Sequence, residues 1–244
     1  FFTRYGAPAA RTSFCMTSPD GVHWNAWQRL AAIEQGHYQI SGVGRNRAGS
    51  AFNYHPQGKG LNWRTNLYYL ETPDHGQTWT TADGTPLILY ITSGGYQSGP
   101  KNDPRTWTIA HWQGNRWDIR PAFTSDNNYD MGSLWLNADG TWSIIAPTAT
   151  GPQPYNPGGE VVHWTSDDEG RTWNKLRQLT TGSPRNHTYV RRPVGAHPGF
   201  YALWADGHGR QPSSSTLYFT DRNGGVRMLP ERMEGETAVP VLAD

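Results

Sequence analysis

One turn, written three times, constrains this chain more than any other feature. It reads Ser18-Pro-Asp-Gly-Val-His-Trp24, Thr72-Pro-Asp-His-Gly-Gln-Thr-Trp79 and Ser166-Asp-Asp-Glu-Gly-Arg-Thr-Trp173. The last two fit Ser/Thr-x-Asp-x-Gly-x-Thr-Trp, and the first lacks one residue before the Gly. The Asp carboxylate can accept hydrogen bonds from backbone N–H groups of its own turn. The Gly supplies a backbone angle that other residues resist. The Trp can pin the turn onto an apolar layer. Asp20 and Asp74 are 54 residues apart, and Asp74 and Asp168 are 94 apart, twice 47. A period near 50 with short strands between turns predicts an all-β chain, a β-propeller of four-stranded antiparallel blades with Asp-box turns.

The 244 residues suffice for one large all-β domain. A net charge of +1 gives no general attraction for polyanions, so nucleic acid is not an expected partner. The 12 Trp and 12 Tyr beside 28 Gly and 18 Pro suit short strands and tight turns. They also suit sugar binding, since the C–H faces of a pyranose stack on aromatic rings; most of the Trp are nevertheless expected in blade cores. The single cysteine, Cys15, excludes an intramolecular disulfide and a Cys-based metal site. No apolar run of about 18 residues exists, so no membrane span is expected. No signal peptide is visible, and the start at Phe-Phe-Thr-Arg, without Met, predicts a processed or truncated piece.

Short, often alternating strands are predicted near 11–18, 38–43, 49–54, 64–71, 88–92, 107–113, 132–136, 142–147, 160–165, 189–193, 199–204, 215–220 and 226–229. The segment Trp27–Gln35 reads as a strand plus turn rather than a helix. At about 47 residues per blade the chain, 1–244, is a single propeller domain of about five blades. After Trp79, Thr81–Pro86 runs straight into Leu87-Ile-Leu-Tyr-Ile-Thr92, so a stretch is expected to be missing near 80–91.

Four polar clusters interrupt the strand pattern and could converge at one end of a channel. They are Gly36–Ile40 with Phe52–Pro56, Leu61–Tyr69, Ser125–Ser133, and Asn186–Pro193 with Trp204–His208. His37 and His55 fall on what read as consecutive strands of one blade; paired imidazoles can act as base and acid. Either histidine could equally hydrogen-bond a neighbouring loop. Arg64, among Asn62, Trp63 and Asn66, offers a planar fork for a carboxylate or a strand-edge salt bridge. Tyr129 lies between Asn127, Asn128 and Asp130, in a loop too polar for core. His187, Arg191 and Arg192 form a further basic knot, in which alternation points the two arginines to opposite faces. The candidate catalytic residues are therefore His37, His55, Arg64, Tyr129 and His187, with Trp63, Asn66, Asn128 and Arg191 as candidate sugar contacts. His23 and His75 sit within the turns and are expected to face solvent. No His-x-His, His-Glu-x-x-His or Asp-rich loop marks a dedicated metal site. No cofactor is expected, and a structural metal ion stays open.

Through Gly36–Ser41, Phe52–Pro56, Arg64–Thr72, Ser125–Ser133, Gly151–Tyr155, Gly158–Glu160, Asn186–Pro193, Trp204–Gly207 and Leu217–Phe219, the chain resembles the fourth bacterial-neuraminidase-repeat (BNR) propeller family. The resemblance covers nearly the whole chain. It implies seven blades, more sequence before Phe1 and after Trp79, and a secreted or periplasmic location. Related propellers include lyases acting on rhamnose–uronate polysaccharides and a group described as rhamnosidases. In the lyases a histidine pair works with a tyrosine and an arginine; the pair maps onto His37 and His55, while Arg64 and Tyr129 are assigned by chemistry rather than by motif.

These readings together predict a monomeric polysaccharide lyase cleaving a rhamnose–uronate linkage by β-elimination. The alternatives are an exo-acting, rhamnosidase-like glycoside hydrolase and a non-catalytic sugar-binding propeller. Hydrolases usually need two carboxylates. The acids near the motifs are Asp130, Glu160 and Asp206, against a richer set of His, Arg and Tyr.

Overall fold

The computed structural model describes every residue except 7–8, 34–37, 45, 60–62, 64, 84–85, 94, 96–98, 102–103, 127–131 and 244. Among the described residues there is no helix, and eighteen strands form five antiparallel sheets. The chain divides into two compact units: Phe1–Pro86 with Trp112–Arg116, and Leu87–His111 with Trp117–Asp244.

The first unit holds two sheets, β1(Phe2–Gly6)-β2(Ala9–Cys15)-β3(Gln28–Ala32) and β4(Gln39–Val43)-β5(Ala48–Tyr54)-β6(Thr65–Thr72). They meet through Arg11, whose guanidinium lies 4.1 Å from the Tyr38 ring centroid, and through Trp79, whose indole N–H reaches the Gln28 side chain (3.3 Å). The second unit holds β7(Leu87–Thr92)-β8(Arg105–Trp112)-β9(Trp117–Ser125), β10(Ser133–Leu136)-β11(Trp142–Ala149)-β12(Glu160–Ser166)-β13(Asn174–Gln178), and β14(Asn186–Arg191)-β15(Ala202–Gly207)-β16(Leu217–Thr220)-β17(Val226–Met228)-β18(Val241–Leu242).

Strand β11 shows why the second unit is layered. Its sequence WSIIAPTA is buried along nearly its whole length. Successive side chains point to opposite faces. Ile144 packs with Trp107, Ile109, Trp142 and Ala146, while Ile145 packs with Val161, Val190, Tyr201, Trp204 and Tyr218. The sheet of β11 is thus a middle layer with apolar contacts on both faces. Each such large side chain contributes roughly 1.5–3 kcal/mol by leaving water.

All three repeated turns are built as their chemistry requires. In the second, the Gly76 N–H donates to Thr72 Oγ1 (2.8 Å), the Thr78 N–H to Asp74 Oδ1 (2.8 Å) and the Thr78 hydroxyl to Asp74 Oδ2 (2.6 Å). In the third, the matching bonds to Ser166 and Asp168 measure 2.9, 2.9 and 2.6 Å. His75-Gly76 and Glu169-Gly170 both take left-handed angles (φ 58° and 87°, 59° and 76°). A Cβ on Gly170 would lie 2.8 Å from the Trp142 ring, so the glycine is needed for close approach as well as for its angle. In the shorter first turn the Gly21 N–H reaches Ser18 Oγ (2.7 Å), and the His23 ring replaces the Thr hydroxyl, donating from Nδ1 to Asp20 Oδ2 (2.6 Å). Donors aimed at an ionised carboxylate favour its charged form. The Thr78 hydroxyl and amide therefore hold Asp74 at about 2, and the His23 ring and Thr172 hydroxyl hold Asp20 and Asp168 well below the usual range.

Two expectations need correction. The turns join the last two strands of β1–β3 and β10–β13. In β4–β6, however, the segment after the turn adds only the bridge Glu71↔Thr80, and β7 begins at Leu87. Among the described residues only β10–β13 has the four strands expected of every sheet; the others have three, three, three and five. The second correction concerns the pinning indoles. Trp79 and Trp173 are half-buried beside their glycines, but Trp24 is exposed. With one residue fewer in its turn, the first repeat uses Trp27, stacked on Phe2 and Phe14 (5.9 and 5.3 Å).

Candidate functional site

Two polar regions contain the described candidates, one in each unit. In the first unit β5 and β6 pair in register from Ala48↔Thr72 to Asn53↔Leu67, then slip so that Tyr54 faces Thr65. Asn66 is the extra residue, a bulge at φ 56°. Asparagine tolerates this left-handed angle, and its amide donates to the Tyr68 hydroxyl (3.1 Å). Beyond Tyr54 comes His55, 8% exposed, with Nε2 3.2 Å from the Lys59 carbonyl. A carbonyl only accepts, so Nε2 carries the proton. Lys59 in turn places its ammonium 5.0 Å from the ring centroid of Trp63, itself half-exposed. This connection therefore combines a buried imidazole, a ring-stacked cation and an exposed indole.

In the second unit His187 is fully buried, and both ring nitrogens are engaged. The Trp204 indole N–H donates to Nδ1 (3.0 Å), so Nε2 bears the proton and donates to Ser183 Oγ (2.8 Å). The Ser183 hydroxyl donates to Glu160 (2.9 Å), as does Thr180. Burial pulls the His187 pKa down, against the opposing fields of Glu160 and Asp206. Asp206, opposite His187 in the ladder, takes two bonds from Arg185 (3.0 and 2.8 Å), one from the Tyr218 hydroxyl (3.2 Å) and one from the Thr216 N–H (2.6 Å). Asn186, also fully buried, ties down the loop Gly151–Gly159 through Gln153, Pro157 and Gly158. Strand β14 then bulges at Tyr189 (φ 54°), whose exposed ring holds an angle that a bulky side chain resists.

His187 is therefore not on the wall of a solvent-accessible pocket. Its polar neighbours are internal partners, and the ring is a strut between Trp204 and Ser183. Glu160 and Asp206 belong to the same sealed network. Arg191 is exposed, whereas Arg192 lies between the rings of Trp135 and Tyr201 (4.7 and 4.8 Å to the centroids), so the two arginines divide as alternation requires. Trp63 and Asn66 are exposed, and Asn66 owes its place to the bulge. His37, Arg64, Asn128 and Tyr129 lie outside the described residues. His23 and His75 are exposed. Lys59 was missed, although a Lys between Gly58 and Gly60 and four residues from Trp63 is a readable signal. No group of three potential metal ligands occurs among the described residues.

No protein-family model matches the chain, and no curated protein matches it.

Proposed function

We propose that the chain is a BNR-type propeller that cleaves a uronate-containing polysaccharide by β-elimination at the β5–β6 connection. The observation that carries this reading is the joint placement of His55, Lys59 and Trp63. The indole offers a flat apolar face to a pyranose, the ammonium offers charge to a carboxylate, and the imidazole supplies a group able to move a proton. The three turns of near-constant period support the propeller. In the reaction a base takes the C5 proton of the uronate. The electron pair forms the C4–C5 double bond, the bond from C4 to the glycosidic oxygen breaks, and that oxygen is protonated as it leaves. We assign the base to His55, with His37 as the acid and Arg64 as the clamp that offsets the carboxylate charge.

A second reading, a sugar-binding propeller without catalysis, is favoured by the exposure of Trp63 beside a His55 only 8% exposed. A binding platform needs the indole and the ammonium but no proton transfer. One experiment separates the readings. The protein is incubated with ulvan and with rhamnose–glucuronate-capped arabinogalactan while ultraviolet absorbance of the new C4–C5 double bond is followed. A rise that disappears in His55→Ala supports the lyase. New reducing ends without absorbance identify a hydrolase, and retention on the polysaccharide with neither identifies a binder.

A further inference from the structure

Arg47 pairs with Glu71, Arg120 with Asp118, Arg185 with Asp206 and Arg227 with Asp221. Arg192 breaks that pattern. It follows β14, and its guanidinium stands between Trp135 of β10 and Tyr201, just before β15, at 4.7 and 4.8 Å from the ring centroids. No hydrogen bond or ion pair engages this guanidinium among the described residues. Its Nε is sealed from solvent without an acceptor, whereas the two terminal nitrogens, equally without one, are not sealed. The half-buried side chain therefore turns its Nη edge outward.

Each part of this seat is fixed. The Trp135 indole N–H donates to Asn137 Oδ1 (2.9 Å), and the Asn137 amide donates to the hydroxyls of Thr141 and Ser143 (both 2.9 Å). Tyr201 is buried, meets Trp135 edge-on at 5.6 Å and 86°, and donates its backbone N–H to the Thr220 carbonyl (2.7 Å). The Arg192 backbone N–H donates to Ser133 Oγ (2.8 Å), and the Ser133 hydroxyl donates to the Val190 carbonyl (3.3 Å). The main chain beside the guanidinium is thus tied to β10. Two aromatic rings offset part of the charge. They satisfy none of the in-plane N–H donors, and their apolar walls strengthen the pull on any acceptor that meets the outer edge. A polar group placed in this way without a partner calls for an explanation.

We propose that Arg192 anchors an oxyanion site, taking a carboxylate or sulfate group end-on through its two terminal nitrogens. The planar fork matches a pair of oxygens on one group, which a point charge does not. The rings hold the fork ready, so binding spends little on ordering the side chain. Such a group comes from an acidic polysaccharide or from a free small anion. The site belongs to the second unit and takes no part in the chemistry assigned to His55. Only its polysaccharide source rests on the carbohydrate reading.

The test uses the whole chain. Melting temperature is read in sodium acetate and in sodium sulfate, against chloride at equal ionic strength. An anion at about ten times its Kd should raise the wild-type melting temperature by roughly 3–6 °C. Arg192→Gln should lose that rise. Arg192→Lys keeps a charge between the rings but not the fork, so it should fold like the wild type and lose most of the rise; it decides the matter if the glutamine variant does not fold. No rise in the wild type, or an equal rise in the variants, overturns the site. Retention on ulvan in affinity electrophoresis separates the sources. Several-fold weaker retention of Arg192→Gln assigns the site to the polysaccharide, and unchanged retention assigns it to a free anion. If the wild type shows the acetate rise but neither holds nor cleaves the polysaccharides, the carbohydrate reading falls and the anion site stands. If it cleaves them but shows no anion rise, only the site falls.

Discussion

His55 and His187 stand beside the same structural device and end in opposite situations. Each lies near a single-residue bulge whose backbone is left-handed, Asn66 in β6 and Tyr189 in β14. In the first unit the bulge residue is an asparagine, and the polar groups around it point to a backbone carbonyl, to one another and to solvent. In the second unit the bulge residue is a tyrosine, and the polar groups behind it close into a network with no exposed member at its centre. A cluster of His, Asn, Arg and Tyr can thus mark a surface or a buried lattice. What decides is whether other strands bring donors and acceptors of matching geometry.

The largest contrast should come from charge. Asp206→Ala leaves Arg185 half-sheltered without its carboxylate, and losing one partner of a buried pair costs roughly 3–5 kcal/mol. His55→Ala removes the bond to the Lys59 carbonyl, a neutral contact worth about 1 kcal/mol, and no ion pair among the described residues, so it should cost less. Urea unfolding followed by tryptophan fluorescence checks both, and equal midpoints for the two variants would erase the distinction. His187→Ala should fall next to Asp206→Ala, at about 3 kcal/mol, because it strands the Trp204 N–H and leaves a cavity inside the unit.

Acid should act on the second unit in the same sense. Burial lowers the pKa of His187, and burial followed by the field of Arg177 lowers that of His163 to about 4. A histidine with a depressed folded-state pKa is protonated more readily when unfolded. Its contribution is complete above the unfolded value near 6.5 and is lost as pH falls toward the folded value. For His163 that loss approaches about 3 kcal/mol by pH 4. Stability at pH 7 and pH 4.5 should therefore differ in the wild type and differ less in His163→Phe. A pH-independent midpoint over that range removes the argument.

The smallest effect sharpens the bulge comparison. Tyr189→Asn should stabilise by about 1 kcal/mol, since asparagine accepts the left-handed angle and the tyrosine ring is exposed. Asn66→Ala should destabilise by a similar amount for the converse reason. Thermal denaturation of the pair gives the signs directly, and like signs would mean that the backbone angle is not the controlling quantity.

The sequence made the apolar and turn-bounded strands readable. β5, β7, β11 and β12 appear close to their predicted limits because Val, Ile, Trp and small residues there face packed layers. Strands β1, β9, β13 and β18 were not expected. β13 reads Asn-Lys-Leu-Arg-Gln, and β9 carries Asp118, Arg120 and Pro121. These strands lie at the margins of their sheets, where backbone pairing holds them and side-chain pattern says little. For His187 the hidden information was tertiary. Trp204 and Glu160 are distant in sequence, and nothing in Asn186-His-Thr-Tyr announces that they close over it. The contact of His55 to the Lys59 carbonyl, by contrast, spans only four residues.

That locality has a kinetic counterpart in the repeated turns. Every bond that shapes the turn at Asp74 or Asp168 lies within the span from Thr72 to Thr78 or from Ser166 to Thr172. Such a loop can close before any sheet is assembled, and short loops and hairpins form within about 0.01–10 μs. The chain therefore begins its search with preset reversals of direction. The slow step left to it is the joining of finished hairpins across long loops, whose closure entropy must be met before the layers of the second unit can pack.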